Sequence, residues 1–575
     1  MNMILRLVRP HWKKLTLSLS FKTIGSLADL MLPFLISVMI DDVIPNSEEG
    51  DIELIVYLGI LMLLIAVIGL YLNIVANRSA ELVAALSVQG LRHDLFEKIE
   101  SLSANQVDDL TRPSLISRMT TDTYNLYNAT AGLQRLGVRA PVLLIGGIVM
   151  ALFLDPVLTL VMIALLPLIG LLVYFTSSKG IPLYKRIQSL LDKLTRTLRE
   201  NITGIRVVKA LSMTEHEEER FDKNNQETVN AELKAHYTMA VINPTMHAIM
   251  NVGLVVVLVI GAFRIDSELT KKGEIIAFIT YFTIILNAMM SITRVFIMIS
   301  RASASGSRID EVLHLPKDMK DGFDEVVLDE AYPHVEFRNV SFSYNKQKAN
   351  LENINFKLER GQTLGIIGST GSGKTTLVNL LMRFYDPDEG TIYLHGKDIK
   401  TLKQKELRKR IGLVLQNDLI FADSIYGNIQ FNRNQINDED VRVATKVAQA
   451  EFIKEKEDEL NYRLSQRGSN LSGGQKQRLL IARAVAGKPD ILILDDASSA
   501  LDYQTDMKMR NSLKEELSDT TMIIIAQRIS SLKDSNLILL IDDGKIIDMG
   551  THESLMKTSK IYQELAFYQL GGEDK

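Results

Sequence analysis

Six long apolar stretches precede residue 302, at about 15–40, 54–76, 140–154, 157–175, 240–265 and 275–299. A helix rises about 1.5 Å per residue and a bilayer's hydrocarbon core is about 30 Å thick, so about 20 residues span it. The third and fourth stretches are short and meet at Asp155-Pro156. They predict two spans joined by a tight hairpin, the third starting earlier, near Arg135. Gly146, Gly147 and Pro167 inside the stretches suit membrane helices better than soluble core helices. The first stretch follows Arg6, Arg9, Lys13 and Lys14 but is too long for a signal peptide, carries Lys22 and Asp29, and lacks a small-x-small cleavage site.

The segments between the spans alternate in kind. The loop after the first span holds Asp41, Asp42, Glu48, Glu49 and Asp51 and no Lys or Arg, whereas the N-terminal flank is basic. The positive-inside rule then puts the N-terminus in the cytoplasm, and an even number of spans returns the C-terminal half there. The two inside segments, about 77–139 and 176–239, are long and helix-patterned, each long enough for a pair of antiparallel helices of about 30 residues reaching about 45 Å from the bilayer. Beyond residue 333 short β-like runs alternate with helical runs, as in an α/β domain. The expected organisation is a membrane domain over 1–305, a linker over 306–333 and an α/β domain over 334–575.

The α/β half carries a nucleotide-binding set. Gly368-Ser369-Thr370-Gly371-Ser372-Gly373-Lys374-Thr375 matches the P-loop pattern, follows the apolar run 364–367 and opens a helix. The glycines let backbone N–H groups turn toward phosphate oxygens, Lys374 supplies a point charge, and Thr375 a hydroxyl for Mg²⁺. A second apolar run, 491–494, ends in Asp495-Asp496. In P-loop enzymes such a strand-terminal Asp holds the Mg²⁺ shell, and Asp495 fits that role. Between them Leu471-Ser472-Gly473-Gly474-Gln475 opens another apolar helix. Taken alone it is either an anion site at a helix N-terminus or an ordinary cap.

With these motifs in this order, the chain resembles an ABC exporter half-transporter along essentially its whole length: a six-helix membrane domain with long intracellular helical extensions, then one α/β P-loop ATPase domain. The resemblance implies ATP and Mg²⁺ as cofactors and a second half-transporter as partner. It implies that Tyr344 stacks on adenine, that Gln416 senses Mg²⁺ and the membrane-domain contact, and that Ser472 to Gln475 bind the nucleotide held by the partner. Ser499-Ala500-Leu501-Asp502 resembles the D-loop. Coupling segments are expected near 112–123, around Ser117-Arg118-Met119, and near 204–221, with Lys209, Glu215 and Arg220; in this family the second docks on the partner's ATPase domain.

Two departures from the family pattern stand out. Where the family usually has a Glu that polarises the attacking water, this chain has Asp496, shorter by about 1.5 Å. Where it usually has a switch His, this chain has Gln527, which hydrogen-bonds but does not carry a proton in the same way. Both weaken hydrolysis and leave binding intact. Asp496 and Gln527 are therefore the candidate catalytic residues of an altered site. One reading is a homodimer that hydrolyses slowly; the other is a heterodimer in which this chain's P-loop builds a degenerate site and its intact signature completes a competent one. The second resembles the first subunit of bacterial heterodimeric multidrug exporters and is the expected function, with hydrophobic or amphiphilic compounds as cargo and the bacterial inner membrane as location. A lipid flippase and a regulatory ATP-binding subunit remain open alternatives. The ionisable residues Asp29 and Arg294 inside spans are functional candidates by default. Asp29 suits cationic amphiphiles or a structural pair, and Asp41 is placed at an external gate.

Composition adds exclusions. The 575 residues carry net charge −4, so no global basic field points to nucleic acid, and there is no Cys for disulfides, thiolate metal sites or cysteine catalysis. Mean hydropathy is +0.09, which fits a part-membrane, part-soluble chain.

Overall fold

The computed structural model describes residues 2–45, 52–326, 329–344, 346, 348–416 and 419–570. The acids Glu48, Glu49 and Asp51 lie outside the described residues. The chain forms two compact units, Met1–Ile99 with Leu115–Leu315, and Glu100–Ser114 with Pro316–Lys575.

In the first unit, six helices among the described residues are long and apolar enough to cross a membrane. They are Met3–Val43, Ile52–Glu100, Arg112–Leu154, Pro156–Thr203, Thr214–Asp266 and Lys272–Leu313. At 41 to 53 residues they reach about 60–80 Å, twice what a bilayer needs. The inside segments expected as separate helix pairs are therefore continuations of the spanning helices: no Pro lies between Ile52 and Glu100, so that helix has no reason to stop where its apolar stretch does. The last helix likewise runs to Leu313, into the stretch expected as linker, because Ile309 and Val312 are buried and hold it in register.

Close packing in this unit is set by small residues. A Cβ on Gly146 would stand 2.5 Å from Leu30 and one on Gly147 2.7 Å from Ile285, so the first, third and sixth spans approach through these two positions. Tyr281 is fully buried there and its hydroxyl donates to Leu30 O at 2.6 Å. The hairpin at Asp155-Pro156 forms as expected. Asp155 caps the fourth helix by accepting from Val157 N and Leu158 N at 2.8 and 3.1 Å, and also accepts from Arg264 at 2.7 Å. Asp41 accepts from Gly273 N and Glu274 N at 2.6 and 2.8 Å, so its carboxylate caps the first turn of the sixth helix.

In the second unit a six-stranded sheet runs β10-β9-β3-β8-β7-β6 and a four-stranded antiparallel sheet runs β2-β1-β4-β5. Their strands are β1 Val335–Phe342, β2 Leu351–Leu358, β3 Thr363–Gly368, β4 Glu389–Leu394, β5 Lys397–Asp398, β6 Ile411–Val414, β7 Ile491–Asp495, β8 Thr521–Ile525, β9 Leu537–Asp542 and β10 Lys545–Gly550. In the larger sheet β3 pairs in parallel with both β8 and β9, and β7 with both β6 and β8. β3 and β7 read as unbroken apolar runs because both their faces are buried. This parallel order brings the carboxyl ends of β3, β7 and β8 side by side, the edge where open α/β sheets place ligands.

The segment 100–114 belongs to this unit. Ser103 Oγ donates to Asp318 at 2.6 Å, Gln106 to Pro316 O at 2.7 Å, and Tyr385 to Asp108 at 2.6 Å. Of the first coupling segment, expected near 112–123, residues 112–114 fall in this unit, directly after the residues that make these bonds. Residues 115–122 are held in the first unit instead: Arg118 pairs with Glu311 at 2.8 Å and donates to Arg308 O at 2.6 Å, and buried Asp122 accepts from Ser305 at 2.8 Å. The second expected segment is a short helix, Ile205–Ala210, then a left-handed Ser212 (φ +56°) and the helix from Thr214. Arg220 there pairs with Glu200 at 2.8 Å.

Candidate functional site

The P-loop leaves β3 at Gly368 and becomes helix Lys374–Leu381. Gly373 sits at φ +103° and a Cβ on it would stand 2.7 Å from Asn350 O, so only glycine makes this turn without strain. Gly371, at φ +84°, has nothing within 4 Å of an added Cβ: it faces open space. Lys374 Nζ donates to Gly368 O at 3.0 Å and Ser369 O at 2.7 Å, closing the loop on itself. Burial lowers the Lys374 ammonium below its usual range, while the nearby Asp495 and Asp496 carboxylates oppose that shift.

At the end of β7, Asp495 is buried and accepts from Thr375 Oγ1 at 2.9 Å. Burial raises its carboxyl above the usual range, against the pull of the Thr375 hydrogen bond; the neighbouring Asp496 adds to the rise. Asp496 adopts a left-handed backbone, φ +52°, rare outside glycine and asparagine or aspartate. One of its carboxylate oxygens accepts two long hydrogen bonds, from Gln416 Nε2 at 3.3 Å and Gln527 Nε2 at 3.5 Å. Lys374, Thr375, Gln416, Asp495, Asp496 and Gln527 line one cavity of about 290 Å³, together with Thr370, Gly371 and Gly373.

The Ser372 hydroxyl is buried beside this cavity and has no hydrogen-bond partner among the described residues. A buried unmet hydroxyl in a loop of phosphate-binding pattern fits a ligand rich in acceptor oxygens. Thr375, Gln416 and Asp495 offer a hydroxyl, an amide oxygen and a carboxylate, the hard donors that suit Mg²⁺.

Tyr344 does not line that cavity. It is about two-fifths exposed, packs edge-on to Phe342 and Tyr385 with ring centroids 4.9 and 5.0 Å apart, and accepts from Asn379 Nδ2 at 3.0 Å. Its backbone N–H donates to Asn350 Oδ1 at 3.1 Å, and Asn350 does line the cavity. No local sequence motif marks Asn350.

The signature also stands apart from the cavity. Ser472 caps helix Gly473–Val485, accepting from Gln475 N at 3.3 Å while Gln475 accepts from Ser472 N at 3.0 Å. So the cap reading of this motif is correct as far as it goes. A Cβ on Gly474 would stand 3.1 Å from Ala500 O, and Gln477 accepts from Ala500 N at 2.9 Å and donates to Ser499 at 3.0 Å. The signature and the stretch 499–502 therefore form one surface.

A six-span helical unit followed by a P-loop α/β unit with a Thr375–Asp495 pair defines the class: an ATP-driven membrane transporter subunit. Residues 15–289 match the family described as ABC transporter transmembrane region, and residues 351–499 the family described as ABC transporter. The chain is 33% identical over 547 residues to the uncharacterized ABC transporter ATP-binding protein YfiB of Bacillus subtilis, covering 95% of this chain and 94% of that protein. It is 32% identical to the uncharacterized ABC transporter ATP-binding protein Rv1273c of Mycobacterium tuberculosis, covering 98% and 97%. A bacterial Atm1-family ABC exporter solved with ATP bound shares its fold, with TM-score 0.83 at 24% identity over 97% of this chain and 99% of that one. The chain belongs to the ABC transporter family. It is a multi-pass half-transporter whose ATPase activity is coupled to transport, and half-transporters of this kind work as dimers with another ABC subunit.

Proposed function

We propose that this chain is one subunit of a heterodimeric exporter of hydrophobic or amphiphilic compounds in a bacterial inner membrane, both termini cytoplasmic, and that the ATP site on its own P-loop is the degenerate one. The observation that carries this reading is the Gln416–Asp496–Gln527 set: the position of the usual catalytic Glu holds a shorter carboxylate, tethered by two amides and without an imidazole. Nothing comparable affects binding. Gly368, Ser369, Thr370, Gly371, Ser372 and Gly373 cradle the phosphates, Lys374 neutralises them, and Tyr344, outside the cavity lining but bonded to its lining residue Asn350, receives the adenine.

Thr375, Gln416 and Asp495 would hold Mg²⁺, whose charge offsets that of the transferred phosphoryl group. Thr375 and Asp495 already orient each other at 2.9 Å, so little reorganisation is needed there. Ser472, Gly473, Gly474 and Gln475, which stand outside this chain's own cavity, serve the nucleotide on the partner's P-loop. That is the competent site. Closure of the paired ATPase domains on ATP drives the membrane helices outward through the coupling segments, and hydrolysis at the competent site resets them.

The test is co-purification from native membranes through a tag on this chain, with the mass and ATPase activity of the complex. A stoichiometric second half-transporter with Glu and His at the matching positions supports the reading. A homodimer with sustained turnover overturns it and makes Asp496 a working catalytic carboxylate.

A further inference from the structure

The first unit contains a polar cluster that the ATPase chemistry does not use. Lys22 is 4% exposed, and its ammonium donates to Asn73 Oδ1 at 2.9 Å and Asn77 Oδ1 at 3.0 Å, both neutral acceptors. Arg139 pairs with Asp29 at 3.0 Å, and Arg135 with Glu81 at 2.8 Å. Glu81 also accepts from Tyr127 at 2.6 Å. The five charged groups come from the first, second and third membrane helices, where the apolar stretch 54–76 of the second gives way to polar sequence. Asp29 is therefore engaged by a guanidinium, which is the structural pair that the sequence left open beside a role in recognising cationic amphiphiles.

Three cations face two carboxylates here, leaving one net positive charge next to apolar surroundings, where an uncompensated charge is costly. Arg135 and Arg139 stand four positions apart on one helix face, a like-charge spacing that favours an anion between them. Their side chains are 43% and 44% exposed, and each carboxylate engages only one edge of its guanidinium. The remaining donors of two planar forks match the oxygens of a phosphate or carboxylate. Exposed apolar side chains of the first two helices, Ile24 and Leu27, and Leu70, Tyr71 and Ile74, lie at neighbouring positions along those helices.

We propose that Arg135 and Arg139, with Lys22 behind them, form a binding site for an amphiphile with an acidic phosphate or carboxylate headgroup and an apolar tail. The site gives a substrate class to the export reading and rests on that reading only for the amphiphile's being cargo.

The full-length chain, purified with whatever subunit accompanies it and placed in phosphatidylcholine nanodiscs, is titrated with dodecyl phosphate without nucleotide. Dodecyltrimethylammonium, dodecyl maltoside and inorganic phosphate serve as comparison probes. Dodecyl phosphate is expected to bind most tightly, Arg135→Gln/Arg139→Gln to weaken it about tenfold or more, and Asp29→Asn/Glu81→Gln to strengthen it. The opposite signs separate recognition from folding, since loss of a purely structural interlock moves both variants the same way. Equal or tighter binding of the ammonium probe, equal binding of inorganic phosphate, or a shift of both variants in one direction overturns the proposal. If phosphatidylglycerol discs abolish the dodecyl phosphate signal, a bilayer lipid already fills the site; if the signal persists, the amphiphile is exogenous, and either result upholds the site. Binding without nucleotide-dependent transport sinks the export of this amphiphile and leaves the site standing.

Discussion

The decisive perturbation is Asp496→Glu together with Gln527→His. Asp496 is shorter than Glu by one methylene, about 1.5 Å, and its carboxylate is held by two amide nitrogens at 3.3 and 3.5 Å. A misplacement of about 1 Å in a catalytic constellation costs about 10²-fold in rate, or about 2.7 kcal/mol. In the proposed heterodimer the competent site would mask any gain, because total turnover could at most double. The measurement therefore needs Gly473→Asp as background, which puts a carboxylate into the signature and silences the site that uses it. On that background the double change is expected to raise single-turnover phosphate release about 10²-fold, with nucleotide affinity within about threefold of the parent. A rise under about threefold would refute the assignment of weak hydrolysis to these two positions.

Three further outcomes are expected. Gly373→Ala forces a Cβ to 2.7 Å from Asn350 O at φ +103°, so binding of a fluorescent ATP analogue should fall at least about tenfold; retained affinity would remove the P-loop turn from the binding account. Tyr385→Phe removes the 2.6 Å bond to Asp108 in segment 100–114, worth on the order of 1 kcal/mol, and should lower transport per ATP hydrolysed severalfold while ATPase persists; an unchanged ratio excludes a coupling role. His334, buried against His395 with ring centroids 4.4 Å apart, has its pKa pushed down to about 4, chiefly by burial. It is neutral in the folded state, so its contribution is complete above pH 6.5 and is lost as pH falls from 6.5 toward 4, up to about 3 kcal/mol. The thermal transition of the ATPase unit should drop across that window and flatten in His334→Gln; an equal drop in both proteins would acquit this histidine.

What was legible in the sequence was contiguous. The P-loop, the strand ending in Asp495 and the six apolar stretches each declare themselves within about twenty residues. The ends of the membrane helices did not, because polarity changes at residue 77 while the backbone has no reason to break before Glu100. The segment 100–114 does carry a local signal: Ser103 with Gln106 is a capping box that opens helix Ala104–Leu110. Asn350, Tyr385 and the partners of Asp29 and Lys22 were not legible at all, since each depends on which helix or strand lies alongside.

The two departures at the ATP site are structurally one. Both Gln416 and Gln527 donate to the same oxygen of Asp496, so this carboxylate is the centre of a three-residue set and not a truncated glutamate standing alone. A histidine at 527 would present a shorter, rigid ring where the glutamine amide now reaches that oxygen. A glutamate at 496 would carry its carboxylate past the point where the two amides converge. Each single reversion therefore breaks the existing set without completing the alternative one. The effects of Asp496→Glu and Gln527→His should be non-additive, with a coupling of the 0.5–3 kcal/mol order seen for residues sharing one hydrogen-bond network. That coupling is what separates a site that has settled into a stable, slowly hydrolysing arrangement from one that has merely lost two side chains. In the latter case each reversion would recover its own share independently.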